Sequence, residues 1–334
     1  MRLDEARLEE QRQLKEKQKT EEQSKKREKR RKPKIDALSE NLSAIQVSQR
    51  SRPSNNKNIK ALSGLCRMES DADFTVYNFV QPFLEGNPID ELAKALRWAG
   101  CQSVTTIATA RVPIIKFVAW GVQCDMSIDQ PMAVHNSRLI GAYRKADKRF
   151  LKLWFAVRYI ARNHGILSGS AGYLSSYALV MMLIVFLQDV ANPPILPRLQ
   201  QQDRSRMEEC KIDGYDCSFD NKGYLYRTFG DTNITSTSQL LIDFCQFYGY
   251  IFNYATQEVN PCLGVIKDRT YDPPPRSEWD PRPRDWSICI LDPFVVGWNV
   301  AGNCRSNNAA EIQQCFRTAF DALSVKDIKK AFKQ

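Results

Sequence analysis

Two aspartates two residues apart, Asp71 and Asp73, stand in the run Ser70-Asp71-Ala72-Asp73-Phe74-Thr75-Val76-Tyr77. The run is β-rich, and a strand turns alternate side chains to one face, so both carboxylates look the same way. Two hard anionic ligands held side by side on a rigid strand suit Mg²⁺, which takes oxygen ligands and often bridges to phosphate. An Asp-X-Asp pair is also a common solvated strand end or turn. A third acid, Asp125, adds weight from a second strand-like run.

The elements that must position these acids follow from local pattern. Asn87 as N-cap, Pro88 in the first turn and Gly100 as the stop bound a helix over 89–99. Residues 112–119 and 122–128 read as two strands joined at Trp120-Gly121, a hairpin with Asp125 in its second arm. Strand, helix, strand, strand is an α/β pattern, and it could bring three carboxylates to one sheet edge. From Asn136 the pattern turns helical: 137–143, then 147–163 closed by Gly165, then 172–188, apolar nearly all round and therefore buried. A rigid loop at Asn192-Pro193-Pro194 ends it. A helix over 236–248, an extended stretch over 252–265, an exposed proline-rich loop over 272–286, a strand into a turn over 288–294 and a closing helix over 309–323 complete the chain.

The 334 residues carry a formal net charge of +10, unevenly placed. Residues 1–60 hold 18 Lys+Arg against 10 Asp+Glu, leaving 30 against 28 beyond, so the basicity belongs to a tail. The run Lys25 to Lys34 suits nuclear import or an anionic partner, and is equally an ordinary solvated charge run. Ile35, Leu38, Leu42 and Ile45 recur at helical spacing and mark one short amphipathic helix in an otherwise largely disordered segment. Ten cysteines without a Cys-X-X-Cys pair, and two histidines, His135 and His164, resemble no zinc site. They point to a reduced intracellular protein, cytoplasmic or nuclear. The first residues are charged where a signal peptide would be apolar, and the longest apolar run, 178–187, is half of the roughly 20 residues that span a bilayer. No membrane partner is expected.

Several separate stretches, in order, match one family. The Gly64-Leu65 pair and the Ser70 to Asp73 strand come first, followed by Asp125 and by His135-Asn136-Ser137-Arg138-Leu139 through Tyr143. Gly172-Tyr173-Leu174-Ser175-Ser176-Tyr177-Ala178 comes next, then the Pro193 to Gln200 loop, and last Asp292-Pro293-Phe294 through Asn299-Val300-Ala301. The chain resembles the non-templated RNA nucleotidyltransferases of the polymerase β superfamily, the terminal uridylyltransferases and noncanonical poly(A) polymerases. The resemblance implies an α+β architecture: a basic tail over 1–58, a polymerase-β-like catalytic domain over 59–132, incomplete at its N-terminus, and a mostly helical PAP-associated domain over 133–334.

It also implies roles. Asp71, Asp73 and Asp125 would hold two Mg²⁺ (or Mn²⁺), with Asp125 the nearest acceptor for the proton of an RNA 3′-hydroxyl. Asn136, Ser137 and Ser176 would contact sugar and phosphate, Tyr177 would stack on the base, and ATP or UTP would be the nucleotide. The two phosphate-clamping cations, usually lysines, are Arg158 and Arg162 here, an exchange that keeps charge and changes geometry. Each has a bland alternative: Tyr177 as a core aromatic, the arginines as a solvated helix face, Asn136 as the cap of a helix beginning at Ser137.

Two positions depart from the family. Its Gly-Ser pair before the Gly-Leu is missing, Ile59-Lys60 stands there, and no strand is expected before it; the close backbone approach that glycine gives a phosphate is lost. Uridylyl-specific members carry a His before the C-terminal Asn-Val, where this chain has Trp298, so a purine or mixed preference is expected. The reading is therefore an enzyme adding AMP, or UMP, to RNA 3′ ends. Its rival is a catalytically impaired paralogue that binds RNA or protein. The related 2′-5′ oligoadenylate synthases fit less well, because of the Asp292 to Ala301 stretch.

Overall fold

The computed structural model describes residues 46–47, 72–76, 87–109, 112–119, 121–271, 275–277, 280–283 and 286–333. Asp71, the basic run 25–34 and the helix expected through Ile35 to Ile45 lie outside them. Among the described residues the chain divides into two compact units, one ending at Gln130 and the other beginning at Pro131.

The first unit is a five-stranded sheet in the order β1-β2-β5-β4-β3. Its strands are β1 (Gln46–Val47), β2 (Ala72–Val76), β3 (Gln102–Ile107), β4 (Ile114–Ala119) and β5 (Val122–Ile128). β2 runs parallel to β5, and the other neighbours are antiparallel. Helix α1 (Pro88–Trp98) starts as expected: Asn87 accepts a hydrogen bond from the Ile89 N–H at 3.2 Å, with Pro88 in the first turn. Its buried residues Ile89, Leu92, Ala93 and Leu96 fall at helical spacing and form one core with Ile115, Phe117, Cys124, Met126 and Val76. That core fixes which side chains of β4 and β5 point inward, and Lys116 and Asp125 belong to the opposite face. Two strands differ from expectation. β1 precedes the acidic strand where no strand was expected, and β3, polar and mostly exposed, sits at the sheet's other edge.

The second unit packs α2 (Pro131–Ala146), α3 (Lys148–Asn163), α4 (Ser176–Val185), α5 (Thr237–Gln246) and α6 (Ser306–Ser324) around one apolar core, with α7 (Ile328–Ala331) closing the C-terminal end. Helix α4 is the centre: every residue from Ala178 to Val185 is buried, as its all-round apolarity requires. Both α4 and α5 run on into π-helical turns, Phe186–Val190 and Phe247–Ile251. A small sheet in the order β12-β8-β9 joins them, made of β8 (Gln257–Asn260), β9 (Val265–Asp268) and β12 (Cys289–Ile290). A two-stranded hairpin, β6 (Lys211–Ile212) with β7 (Tyr215–Asp216), precedes that sheet. The stretch expected as an irregular loop holds the paired strands β10 (Pro275–Ser277) and β11 (Asp280–Pro283). No helix among the described residues is long and apolar enough to cross a membrane.

Candidate active site

The strand register brings two of the sequence-singled acids together. Asp73 pairs directly with Asp125 across the parallel β2–β5 ladder, and Lys116 pairs with Asp125 from β4. Neighbouring strands lie about 4.8 Å apart, so two carboxylates and an ammonium form one row on the face away from α1. Like charges abreast repel. Lys116 Nζ lies 2.7 Å from Asp125 Oδ2 and offsets part of that repulsion. The lysine side chain is 45% exposed, so the pair contributes only about 0–1 kcal/mol. Past the row the strands are pinned: Ser127 Oγ donates to the Phe74 carbonyl at 3.2 Å, and the Gln130 N–H donates to Thr75 Oγ1 at 3.0 Å.

The donor set is hard oxygen on rigid strands with a cation already drawn to it, which fits Mg²⁺ or Mn²⁺. Among the described residues no group of three possible metal ligands occurs. Asp71, the third acid of the expected set, lies outside those residues.

The second unit places the remaining candidates. Asn136 and Ser137 lie in the second turn of α2, which begins at Pro131, so Asn136 does not cap a helix beginning at Ser137. Ser137 is buried and its hydroxyl donates back to the Ala133 carbonyl at 2.9 Å. Asn136 Oδ1 is buried with no hydrogen-bond partner, an acceptor whose isolation costs about 1–3 kcal/mol. Arg158 and Arg162 stand one turn apart on α3, half-buried and exposed respectively. At the start of α4 the N-cap is Ser175, whose Oγ accepts from the Ala178 N–H at 3.0 Å, which leaves the half-buried Ser176 as the first helical residue.

Tyr177 reaches across 115 residues to donate its hydroxyl to Asp292 Oδ2 at 3.2 Å. Burial first, then the Asp292 charge, push its phenol well above the ordinary value. Sequence reading took Asp292 only as part of a signature, yet its carboxylate organises this corner. Oδ1 accepts from the Phe294 and Val295 N–H groups at 2.9 Å each, the Asx-turn geometry that an Asp before Pro-Phe signals. Burial pushes the Asp292 carboxyl up against those bonds. Asn299 closes the other end: its Oδ1 accepts from Ile290 and Ala301, and its Nδ2 donates to the Ile288 carbonyl at 2.8 Å. Trp298 is held half-exposed between them, its carbonyl accepting from the Asp292 N–H at 2.8 Å.

An acid pair on adjacent strands of a mixed sheet, followed by a helical unit with its own small sheet, defines a polymerase-β-like nucleotidyltransferase fold. Solved structures agree. A cytoplasmic RNA terminal U-transferase superposes with a TM-score of 0.66 at 24% identity, over 91% of this chain and 90% of its own. A Cid1 structure described for its RNA terminal uridylyl transferase activity superposes at 0.68 and 23%, over 89% and 88%. The family model for the central palm domain of mitochondrial-like poly(A) RNA polymerases matches residues 11–145. Poly(A) RNA polymerase cid13 of Schizosaccharomyces pombe is 30% identical over 70% of this chain and 40% of its own length. The human speckle targeted PIP5K1A-regulated poly(A) polymerase is 32% identical over 66% and 25%. Human terminal uridylyltransferase 7 is 29% identical over 68% and 15%. The chain thus spans half or less of these curated relatives' lengths. It is similar, over about two thirds of its own length, to noncanonical poly(A) polymerases and terminal uridylyltransferases.

Proposed function

We propose that the chain adds nucleotides, AMP ahead of UMP, to RNA 3′ ends without a template. The observation that carries this reading is the register that sets Asp73 beside Asp125. Asp71, Asp73 and Asp125 would hold Mg²⁺ or Mn²⁺. Bound there, the divalent ion supplies a lowered pKa for the attacking hydroxyl and offsets charge developing on the pyrophosphate. Asp125 accepts the hydroxyl proton. Asn136 Oδ1, buried and unpaired, accepts from a ribose hydroxyl; Ser137 and Ser176 line the sugar and phosphate. Arg158 and Arg162, one turn apart, clamp the triphosphate as guanidinium forks. Tyr177 stacks on the base, fixed by Asp292, and Trp298 at the base edge favours adenine because it lacks the hydrogen-bonding imidazole of uridylyl-specific relatives. Structures of Cid1 poly(U) polymerase with Mg 3′-dATP and of mtPAP with UTP, both of this fold, support a metal-bound nucleotide as the substrate. The described cysteines are all free thiols, which fits a cytoplasmic or nuclear protein.

The test is extension of a labelled RNA oligonucleotide with Mg²⁺ and each nucleoside triphosphate separately. Extension with ATP, abolished by Asp73→Ala, is expected. No extension with any nucleotide leaves the second reading, an impaired paralogue that binds RNA or protein partners. The missing Gly-Ser pair before Gly64 is what favours it.

A further inference from the structure

A cavity of about 660 Å³ in the second unit is lined by six cations, Arg144, Lys145, Lys148, Arg149, Lys152 and Arg227, against two acids, Asp147 and Asp231, and nothing in the catalytic reading uses it. Its wall is tightly built. Arg149 donates to Asp147 Oδ2 at 2.7 Å, to the Gly230 carbonyl at 2.8 Å and to the Asn233 carbonyl at 2.6 Å. A Cβ at Gly223 would collide with the Ala142 backbone, and one at Gly230 with Asp147 and Arg149, so the 223–233 segment lies as close to α2 and α3 as glycine allows.

The Asp147–Arg149 pair satisfies itself. The other five cations of the lining form no ion pair with a carboxylate among the described residues, and Arg144 Nε is buried without a hydrogen-bond partner. Fold stability accounts for part of this charge: Arg144 and Lys145 occupy the last turn of α2, where cations complement the helix dipole. Lys148 does the opposite. It is the first residue of α3, directly after the Asp147 cap, and there the dipole disfavours a cation; Lys152 follows one turn on. Cations gathered around a concavity against the local field raise the concentration of an anion that completes them.

The surroundings favour a single-stranded nucleic acid. Tyr224 and Phe229, 50% and 40% exposed, flank Arg227 on one short segment. Exposed rings beside a basic groove are how single strands are held, bases on rings and phosphates on cations. Lys148 also precedes Arg158 on α3 by about 15 Å at 1.5 Å per residue, the length of four or five stacked nucleotides.

We propose that this cavity grips the backbone phosphates of single-stranded RNA several nucleotides upstream of its 3′ end. The inference rests on the RNA-extending reading for its substrate class. Its test is fluorescence anisotropy of the full chain with labelled RNAs of 4 and 15 nucleotides over a salt series. The variants are K148Q/K152Q, R227Q and, as a charge-matched control on α7, K329Q/K330Q. The 15-mer is expected to bind the double variant about tenfold more weakly, with a salt slope shallower by about 1.4, or 0.7 per lost phosphate contact. R227Q should show a smaller change of the same kind. The 4-mer, the control and the melting temperature should not move.

Unchanged 15-mer binding, or an equal loss in the control or with the 4-mer, overturns the proposal. So does binding of inorganic tripolyphosphate that needs Lys148 and Lys152 while RNA binding does not. Because binding is read without turnover, a chain that extends no RNA yet shows this pattern removes only the catalytic reading. Extension with unchanged binding removes only the cavity.

Discussion

The row of Asp73, Asp125 and Lys116 and the turn from Asp292 to Asn299 are both polar clusters, one within a sheet and one just past a strand, and they are resolved in opposite ways. In the turn the protein finishes its own electrostatics: both side chains are buried, and each makes at least three hydrogen bonds. In the row, two like charges stand abreast on a half-exposed face, with the Lys116 ammonium against Asp125. A self-completed cluster serves the fold. Like charges held abreast cost stability, and the proposed divalent ion would offset that cost.

That contrast breaks most sharply at Asp125. Asp125→Ala should cut nucleotide addition by roughly a thousandfold or more while changing stability by less than about 1 kcal/mol, since it removes a repulsion along with a wet ion pair. Primer extension beside a thermal melt measures both, and a large loss of stability would put the carboxylate in the fold's service instead. Asn299→Ala is the mirror case. It strands buried backbone donors and a carbonyl, so a loss of about 3 kcal/mol and a melting temperature lower by roughly 5–10 °C are expected. A melt within 2 °C of the parent, on the order of 0.5 kcal/mol, would contradict a structural role.

Tyr177 belongs to both worlds and sharpens the comparison. Tyr177→Phe removes one hydrogen bond to Asp292, worth about 1 kcal/mol, and should leave the KM for nucleotide within about twofold. Tyr177→Ala removes the ring and should raise KM about tenfold, given about 1–3 kcal/mol for base stacking. Equal damage from both variants would assign the work to the hydroxyl. The smallest effect is in pH dependence. Burial raises the Asp292 carboxyl above its ordinary 3.8, so the folded state holds that proton more tightly than the unfolded chain does. Its contribution to stability is complete below that ordinary value and is lost as pH rises through the raised one. Asp292→Asn should flatten the stability profile over that window, and a profile of unchanged slope would show that the carboxyl titrates normally.

How much of this was legible in the sequence depended on how far apart the partners lie. Helix α1 was readable because Asn87, Pro88 and Gly100 are local signals, and the β4–β5 hairpin because two apolar runs flank a glycine with φ of +73°. β3 was missed because Gln102-Ser-Val-Thr-Thr-Ile lacks apolar alternation; an edge strand with one exposed side needs little. Helix α2 starts earlier than its sequence suggests because Asn136 before Ser137 has the residue type of a cap, whereas Pro131 opens the helix and Val134 is already buried in it. For the site, the acids could be named, but their adjacency could not be derived from spacing, because a parallel pairing is set by everything between its strands. The tie from Tyr177 to Asp292 lay equally out of reach.

The parallel β2–β5 pairing also closes the longest loop of the sheet. β3, β4 and β5 form a local meander that can close early, whereas β2 must wait for about fifty intervening residues to fold back before it docks. The acidic row therefore depends on the most non-local pairing of the sheet, and local opening at β2 alone would separate Asp73 from Asp125 while the β3–β4–β5 meander stays paired.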